Sequence, residues 1–380
     1  MIHAIWFMTG LSSQRDMIRA IKAEVPEVTI VASHQQPRYE ILAEADYAYL
    51  EPPLAGYDLG SNSANTELML VFMAEVVNKH QVSVIHVGRN SPFFEGHRST
   101  IESWGVTLVT GARGQASFAI ADNKQAFANH MQAQGLPVVP TISARSLAEL
   151  EHIFKRQPFG ATDFCIKPAR GIYGMGFWHL DTTAVLLDAD TKRIHPDIYL
   201  AAARLDNERG HRFSEQVVMP FLPGIERSVD IIIDQGKVIT AIGRCKQDAV
   251  QYFEHSGIAF DLALKCAEQL GLDGLVNVQT RDDANGQPFL LETNLRPSGG
   301  ICFSLSSKVN LSALFARYVT GLWSAADIQA HVAACFMPAH VRSTSTVLPL
   351  PLSLPSLNTL PLSSSIGQPL PDTFDLETIS

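Results

Sequence analysis

Along the first hundred or so residues the apolar positions alternate between two rhythms. Short apolar runs at Ile2–Met8, Val28–Ala32, Tyr47–Leu50, Val82–Val87 and Val106–Val109 predict strands. Between them, a stretch ending near Glu24 and another over Thr66–His80 carry apolar residues at helical spacing. Strands separated by helices of this length predict a parallel, doubly wound sheet. The loops Thr9–Ser13 and Gly88–Asn90 then fall at its carboxyl edge, where open α/β sheets place ligands, and Thr9–Ser13, Arg89 and Gln247–Gly257 are expected to shape a substrate pocket.

The pattern changes near Ala121. Asp122 is positioned to cap a helix running to about Gln134, which Gly135-Leu-Pro137 stops. Strands are expected at Val138–Ile142, Phe164–Ile166, Val217–Phe221, Ser228–Ile233 and Lys237–Gly243, with a turn at Asp234-Gln-Gly236 and a polar loop at Gln247–Gly257. Phe260–Leu270 predicts a helix ended by Gly271. Val276–Arg281 and Phe289–Glu292 predict a hairpin around Asp283-Ala-Asn-Gly286, whose Asn-Gly pair is a strong turn signal. From Ser343 onward the chain is rich in Leu, Pro and Ser; it reads either as a solvated tail or as an extended segment along a sheet edge.

Composition narrows the function. A chain of 380 residues exceeds one typical compact domain and predicts two or three domains or lobes. A formal charge of −9 argues against a nucleic-acid partner, yet leaves room for a local basic pocket. Cys165, Cys245, Cys266, Cys302 and Cys335 lack metal-ligand spacing and read as reduced thiols. The start of the chain lacks the basic segment and cleavage site of a signal peptide, and no apolar run reaches the ~18 residues of a membrane span. A cytoplasmic enzyme without a membrane partner is the expectation.

Two segments carry candidate chemistry. Lys167 ends an apolar strand and leads into a loop with Gly171, Gly174 and Gly176; such glycines let backbone N–H groups approach a polyphosphate, while the lysine supplies a mobile charge. Further on, Glu292 and Asn294 lie two apart in a strand and so point the same way. A carboxylate beside a carboxamide suits Mg²⁺, which takes hard oxygen ligands, and Gln279 across the hairpin offers a third oxygen on that face. Each segment alone also fits a surface loop or a solvated strand.

Taken in order, these motifs resemble the ATP-grasp superfamily, which includes carbamoyl-phosphate synthetase, biotin carboxylase and D-alanine–D-alanine ligase. The resemblance covers about Ala121 to Gly321, and more loosely the N-terminal region. Asp122-Asn-Lys124 is similar to the family's first nucleotide-binding lysine segment, and Lys167-Pro168 with the glycine loop to its second lysine and phosphate flap. Val218-Met-Pro-Phe-Leu-Pro-Gly-Ile-Glu226 resembles the interlobe hinge plus a ribose-binding glutamate. Asn277-Val-Gln279 with Glu292-Thr-Asn294 is most similar to the metal strands of the carbamoyl-phosphate synthetase large-subunit type.

The resemblance implies an α/β N-terminal domain with a parallel sheet of the pre-ATP-grasp type over 1–115. A two-lobed α+β ATP-grasp fold follows over 116–325, divided near 220, with a C-terminal segment at 326–380. It implies that Lys124, Lys167, Gly171, Gly174, Gly176, Pro220, Leu222 and Glu226 bind ATP, the adenine through the Pro220 carbonyl and the Leu222 N–H. It implies Mg²⁺, or Mn²⁺, on Gln279, Glu292 and Asn294, with Arg244, Lys246 and Arg296 meeting the transferring phosphoryl group. The implied activity is a carbon–nitrogen ligase that forms ADP, joining a small carboxylate to an amine through an acyl phosphate, and the resemblance allows a homodimer. A non-catalytic nucleotide-binding module and an enzyme with a non-amine acceptor stay open. A dinucleotide-dependent dehydrogenase does not fit, because no GxGxxG follows the first strand.

Overall fold

The computed structural model of the chain describes residues 3–54, 63–160, 163–171, 174–184 and 191–344. Ile172 and Tyr173 of the glycine loop, and the Leu/Pro/Ser-rich segment from Ser345 onward, lie outside these residues. Three sheets organise the rest.

The first sheet has the spatial order Tyr47–Leu50, Val28–His34, His3–Phe7, Val82–His86, Thr107–Val109, every neighbour parallel. This is the doubly wound sheet expected from the alternating rhythm. Its strands are nearly all apolar because both faces are covered. Ile5, Phe7 and Ile30 pack toward the helix Ser13–Glu24, and Trp6, Met8 and Val31 toward Ser63–His80. The order turns about the first strand, and there the loops touch: a side chain on Gly88 would sit 2.5 Å from the Thr9 carbonyl oxygen.

The second sheet runs Arg193–Ile194, Trp178–Leu180, Phe164–Pro168, Gln216–Pro220, Ile142–Ala144 and is antiparallel except at its first pair. The third runs Pro288–Asn294, Leu272–Asp282, Glu226–Asp234, Lys237–Gln247, Val250–Glu254, His340–Val341 and is antiparallel throughout; Gly111–Ala112 pairs with Leu272–Asp282 off this path. Gln235 and Gly236 both have positive φ, 48° and 81°, the conformation a two-residue hairpin needs to follow strand twist. The helix Ile258–Gln269 covers the face of the third sheet away from the cleft with Phe260, Ala263 and Cys266.

The first and third sheets share one core. Leu314 and Phe315 of the helix Leu311–Val319 lie in a single apolar cluster with Phe7 and Val84 from one sheet and Ile232 and Leu275 from the other. Asn310 donates to the Ala20 carbonyl at 2.9 Å and Arg317 to that of Glu24 at 3.0 Å, fastening this helix to Ser13–Glu24.

Three local expectations are corrected. Asn123, not Asp122, caps the helix Lys124–Ala133: its side chain accepts from the Gln125 and Ala126 N–H groups, both at 3.0 Å. The strand expected at Val138–Ile142 lies at Ile142–Ala144, because Pro140 has no N–H to pair and Val138 bridges instead to Leu290. The polar loop at Gln247–Gly257 contains the strand Val250–Glu254, whose Phe253 is buried.

Candidate active site

A cavity of about 520 Å³ lies between the second and third sheets. Strand pairing builds its floor. Residues two apart point to one face, and cross-strand register sets three polar rows side by side. The outer row is Lys246, Glu226 and Arg281; the middle row is Arg244, Ser228, Gln279 and Glu292; the inner row is Asp230, Asn277 and Asn294. Gln279 thus stands directly opposite Glu292, and Asn294 is one step further in.

The other wall brings Lys124 from the start of its helix and Lys167 from the strand Phe164–Pro168. Lys167 Nζ lies 3.3 Å from a Glu292 carboxylate oxygen and Lys124 Nζ 3.8 Å from the same atom. These three residues, separated by up to 168 positions, meet at one point. Burial pushes the Glu292 carboxyl up, but Lys167 and Lys124 outweigh it and hold the group below the ordinary carboxylate range. Burial draws Lys124 below the usual lysine range in turn, against the pull of Glu292.

Lys124 Nζ also donates to the Gly171 carbonyl at 3.4 Å, and Lys192 Nζ to that of Gly174 at 3.1 Å. Gly171 and Gly174 line the cavity; Gly176, at φ +69°, lies against Pro168, where a Cβ would stand 2.9 Å from the ring. Pro220 and Leu222 line the cavity on either side of Phe221, whose N–H donates to the Asp163 carbonyl at 2.8 Å.

Arg244 is 7% exposed and bonded to neutral oxygens: Gln251 Oε1 at 2.7 Å, Ser298 Oγ at 3.1 Å and Ser228 Oγ at 3.3 Å. No carboxylate among the described residues pairs with it, and its buried Nε has no hydrogen-bond partner. Asp230 holds the turn beside it, accepting from the Ser298 N–H at 2.8 Å and the Ser298 hydroxyl at 2.7 Å. Burial raises the Asp230 carboxyl, against the pull of Arg244 and the Ser298 hydrogen bonds. Lys246 is ion-paired with Glu226, which also takes Arg281 at 3.4 Å. Arg296 lines the cavity and donates to the Pro297 carbonyl at 3.4 Å.

All but one of the nucleotide-, metal- and phosphoryl-site residues singled out from sequence therefore border one cavity, Gly176 being the exception, while no residue of Gln247–Gly257, expected to shape the substrate pocket, lines it. The N-terminal loops do not border it. Thr9 turns inward instead, its N–H and hydroxyl bonding the buried Glu51 carboxylate at 2.6 and 2.7 Å. Sequence reading missed Lys192, Arg281, Asp230 and Ser298. Arg281 had a signal, since it continues the same-face series of Asn277 and Gln279; Asp230, a lone acid inside an apolar run, had another.

Fold and cleft together define the class: the chain has the ATP-grasp fold. Residues 212–343 match the family described as ATP-grasp in the biosynthetic pathway with Ter operon. Among solved structures the chain is similar to an L-amino acid ligase from Bacillus licheniformis, with 13% identity over 84% of this chain and 74% of that one, at a TM-score of 0.58. It is similar to N5-carboxyaminoimidazole synthetase from Staphylococcus aureus complexed with ADP, with 12% identity over 84% and 77%, at a TM-score of 0.57. The biotin carboxylase domain dimer of Hydrogenobacter thermophilus 2-oxoglutarate carboxylase, in complex with MgADP, ADP and bicarbonate, gives 16% identity over 84% and 69%, at a TM-score of 0.56. No curated protein matches by sequence. At these identities the likeness to the structures is one of fold. No described helix is long and apolar enough to cross a membrane.

Proposed function

We propose that this chain is an ATP-dependent ligase that phosphorylates a substrate carboxylate with release of ADP and then transfers the acyl group from the acyl phosphate to an amine with release of phosphate. One observation carries the reading: in a chain of net charge −9, the cavity is lined by seven basic residues against two carboxylates. Lys124, Lys167 and Lys192 come from one wall, and Arg244, Lys246, Arg281 and Arg296 from the floor and its rim; among the described residues only Glu226 and Glu292 oppose them. That balance suits a polyphosphate and a second anion held together.

On this reading adenine lies along Pro220–Leu222, using the Pro220 carbonyl and the Leu222 N–H, and Glu226 accepts the ribose hydroxyls. Lys246, which the resemblance placed at the transferring phosphoryl group, is instead paired to Glu226 in the outer row and orients that carboxylate at the ribose end. Lys124 and Lys167 exchange Glu292 for phosphate oxygens beside Gly171 and Gly174. Arg244 steadies the transferring group with Arg296, because a buried guanidinium with neutral partners keeps its charge for an incoming anion. Phosphoryl transfer then rests on alignment and charge neutralisation and needs no enzyme nucleophile. Cys165 is a poor one in any case, since burial pushes its thiol up to about 11.

Gln279, Glu292 and Asn294 fit Mg²⁺ or Mn²⁺, offering hard oxygens from adjacent positions on one sheet face. A single carboxylate is too little charge to hold such an ion alone, which suits a metal that arrives on the nucleotide and neutralises its phosphates. An amine acceptor is supported by the likeness to an L-amino acid ligase. Binding is tested by thermal shift: ATP with Mg²⁺ should raise the melting midpoint more than ATP or Mg²⁺ alone. No shift with ATP under either condition removes the reading.

A further inference from the structure

We propose that Asp163, His179 and Asp181 form a site for one transition-metal dication of the Zn²⁺ type, at the outer end of the cleft. Each offers one ligand atom, and these atoms all lie within 4.8 Å of one another, so small rotations would bring them around an ion. His179 is 8% exposed, and its Nε2 is buried with no hydrogen-bond partner, 3.3 Å from Asp163 Oδ2. At 3.3 Å the two atoms are within ion-pair distance but miss hydrogen-bond geometry, and with Nε2 unprotonated they offer two lone pairs to a cation between them.

Asp181 is 5% exposed and held from outside: its Oδ1 accepts the Thr183 N–H and hydroxyl, both at 2.7 Å, and its Oδ2 accepts the Arg193 guanidinium, with Nε at 3.0 Å. These four donors occupy both carboxylate oxygens, so Asp181 would enter an ion's shell in place of one of them, the others fixing its orientation. Arg193 also offsets one of the two carboxylates, leaving the group with a single net negative charge when His179 is neutral. That charge still favours a dication and sets a moderate affinity.

The donor set decides the metal. Imidazole with carboxylates suits Zn²⁺ and its first-row neighbours, whereas Mg²⁺ prefers oxygen donors alone. The site is thus chemically distinct from Gln279, Glu292 and Asn294. It also touches the cleft wall. The Phe221 N–H donates to the Asp163 carbonyl, and the His179 ring stacks on Phe221 at 3.7 Å and 10°. Arg281 lies over the same Phe221 ring at 5.4 Å and pairs with Glu226. An ion on His179 would stiffen Phe221, and through Arg281 the outer row of the floor.

The test uses the full chain, stripped of metal with a chelator and free of nucleotide, so that it stands apart from the ligase reading. Zn²⁺ uptake is measured by equilibrium dialysis in excess Mg²⁺ for wild type, His179→Gln and Asp163→Asn. Each variant should bind one Zn²⁺ fewer per chain, or bind it at least about tenfold more weakly. Cys335 and His331, with Sγ and Nδ1 3.8 Å apart, are unchanged in both variants, so any Zn²⁺ taken there is common to all three proteins. Asp163 is half-exposed, so Asp163→Asn keeps the test alive should His179→Gln fail to fold. Equal Zn²⁺ uptake by wild type and the folded variants, or none by wild type, overturns the proposal.

Discussion

Gly300 has an ordinary backbone, with φ at −108°, so its missing side chain answers to its neighbour and not to its own conformation. A Cβ there would stand 2.7 Å from Arg244 Cζ. Gly300→Ala should therefore leave the fold intact and push the guanidinium off its place. We expect turnover to fall by about ten- to a hundredfold with Mg-ATP affinity little changed, since the displaced group acts at the transferring phosphoryl and not along the nucleotide. Steady-state kinetics beside a thermal-shift titration reads both; an unchanged kcat would detach Arg244 from the chemistry. At this scale much was legible. Lys167 ahead of its glycines and the Glu292/Asn294 pair could be placed because strand parity alone decides which way alternate residues face. Lys192 could not, because it reaches the cleft through a turn that no local pattern marks. The Asp230 contact with Ser298 was hidden as well, for it joins residues 68 apart through tertiary packing.

Between elements, one joint sets the end of strand Val82–His86 against helix Leu311–Val319. The His86 ring packs on Phe7 at 5.2 Å and on Phe315 at 5.5 Å, and burial draws its pKa down to about 4. A depressed histidine favours the folded state fully above its unfolded value near 6.5, and that contribution is lost as pH falls toward 4. Between pH 7.5 and 5 this one group should remove about 2 kcal/mol of stability. Urea unfolding at both pH values checks it: His86→Met should flatten the dependence, and an equal slope in the two proteins would contradict the assignment. The elements themselves were legible where apolar periodicity was strong, as in the parallel sheet and the hairpin at Asp283–Gly286. They were not where pairing partners outweigh local pattern. Val250–Glu254 mixes polar and aromatic residues and forms a strand because Lys237–Gln247 and His340–Val341 flank it. Pro140 shifted another strand by withholding a donor.

Across the whole molecule, the charge distribution separates two environments. The surface carries the excess acid that gives a net −9, while the cleft gathers seven basic side chains around Glu226 and Glu292. Composition revealed the first and concealed the second, because the basic residues are scattered from 124 to 296 and only the facing of two sheets assembles them. The parallel sheet and the third sheet share one apolar core through Phe315, so the floor of the cleft is built on a large packed core. Such a base suits a site whose proposed chemistry depends on alignment. The most direct measurement is ADP release by the purified chain supplied with Mg-ATP and pools of carboxylic acids and amines, beside Glu292→Ala. The account predicts release that requires both Mg²⁺ and an acid and that falls at least about a hundredfold in the variant. Undiminished release by Glu292→Ala, or ATP-bound wild-type protein that forms no ADP with any acid, would contradict it.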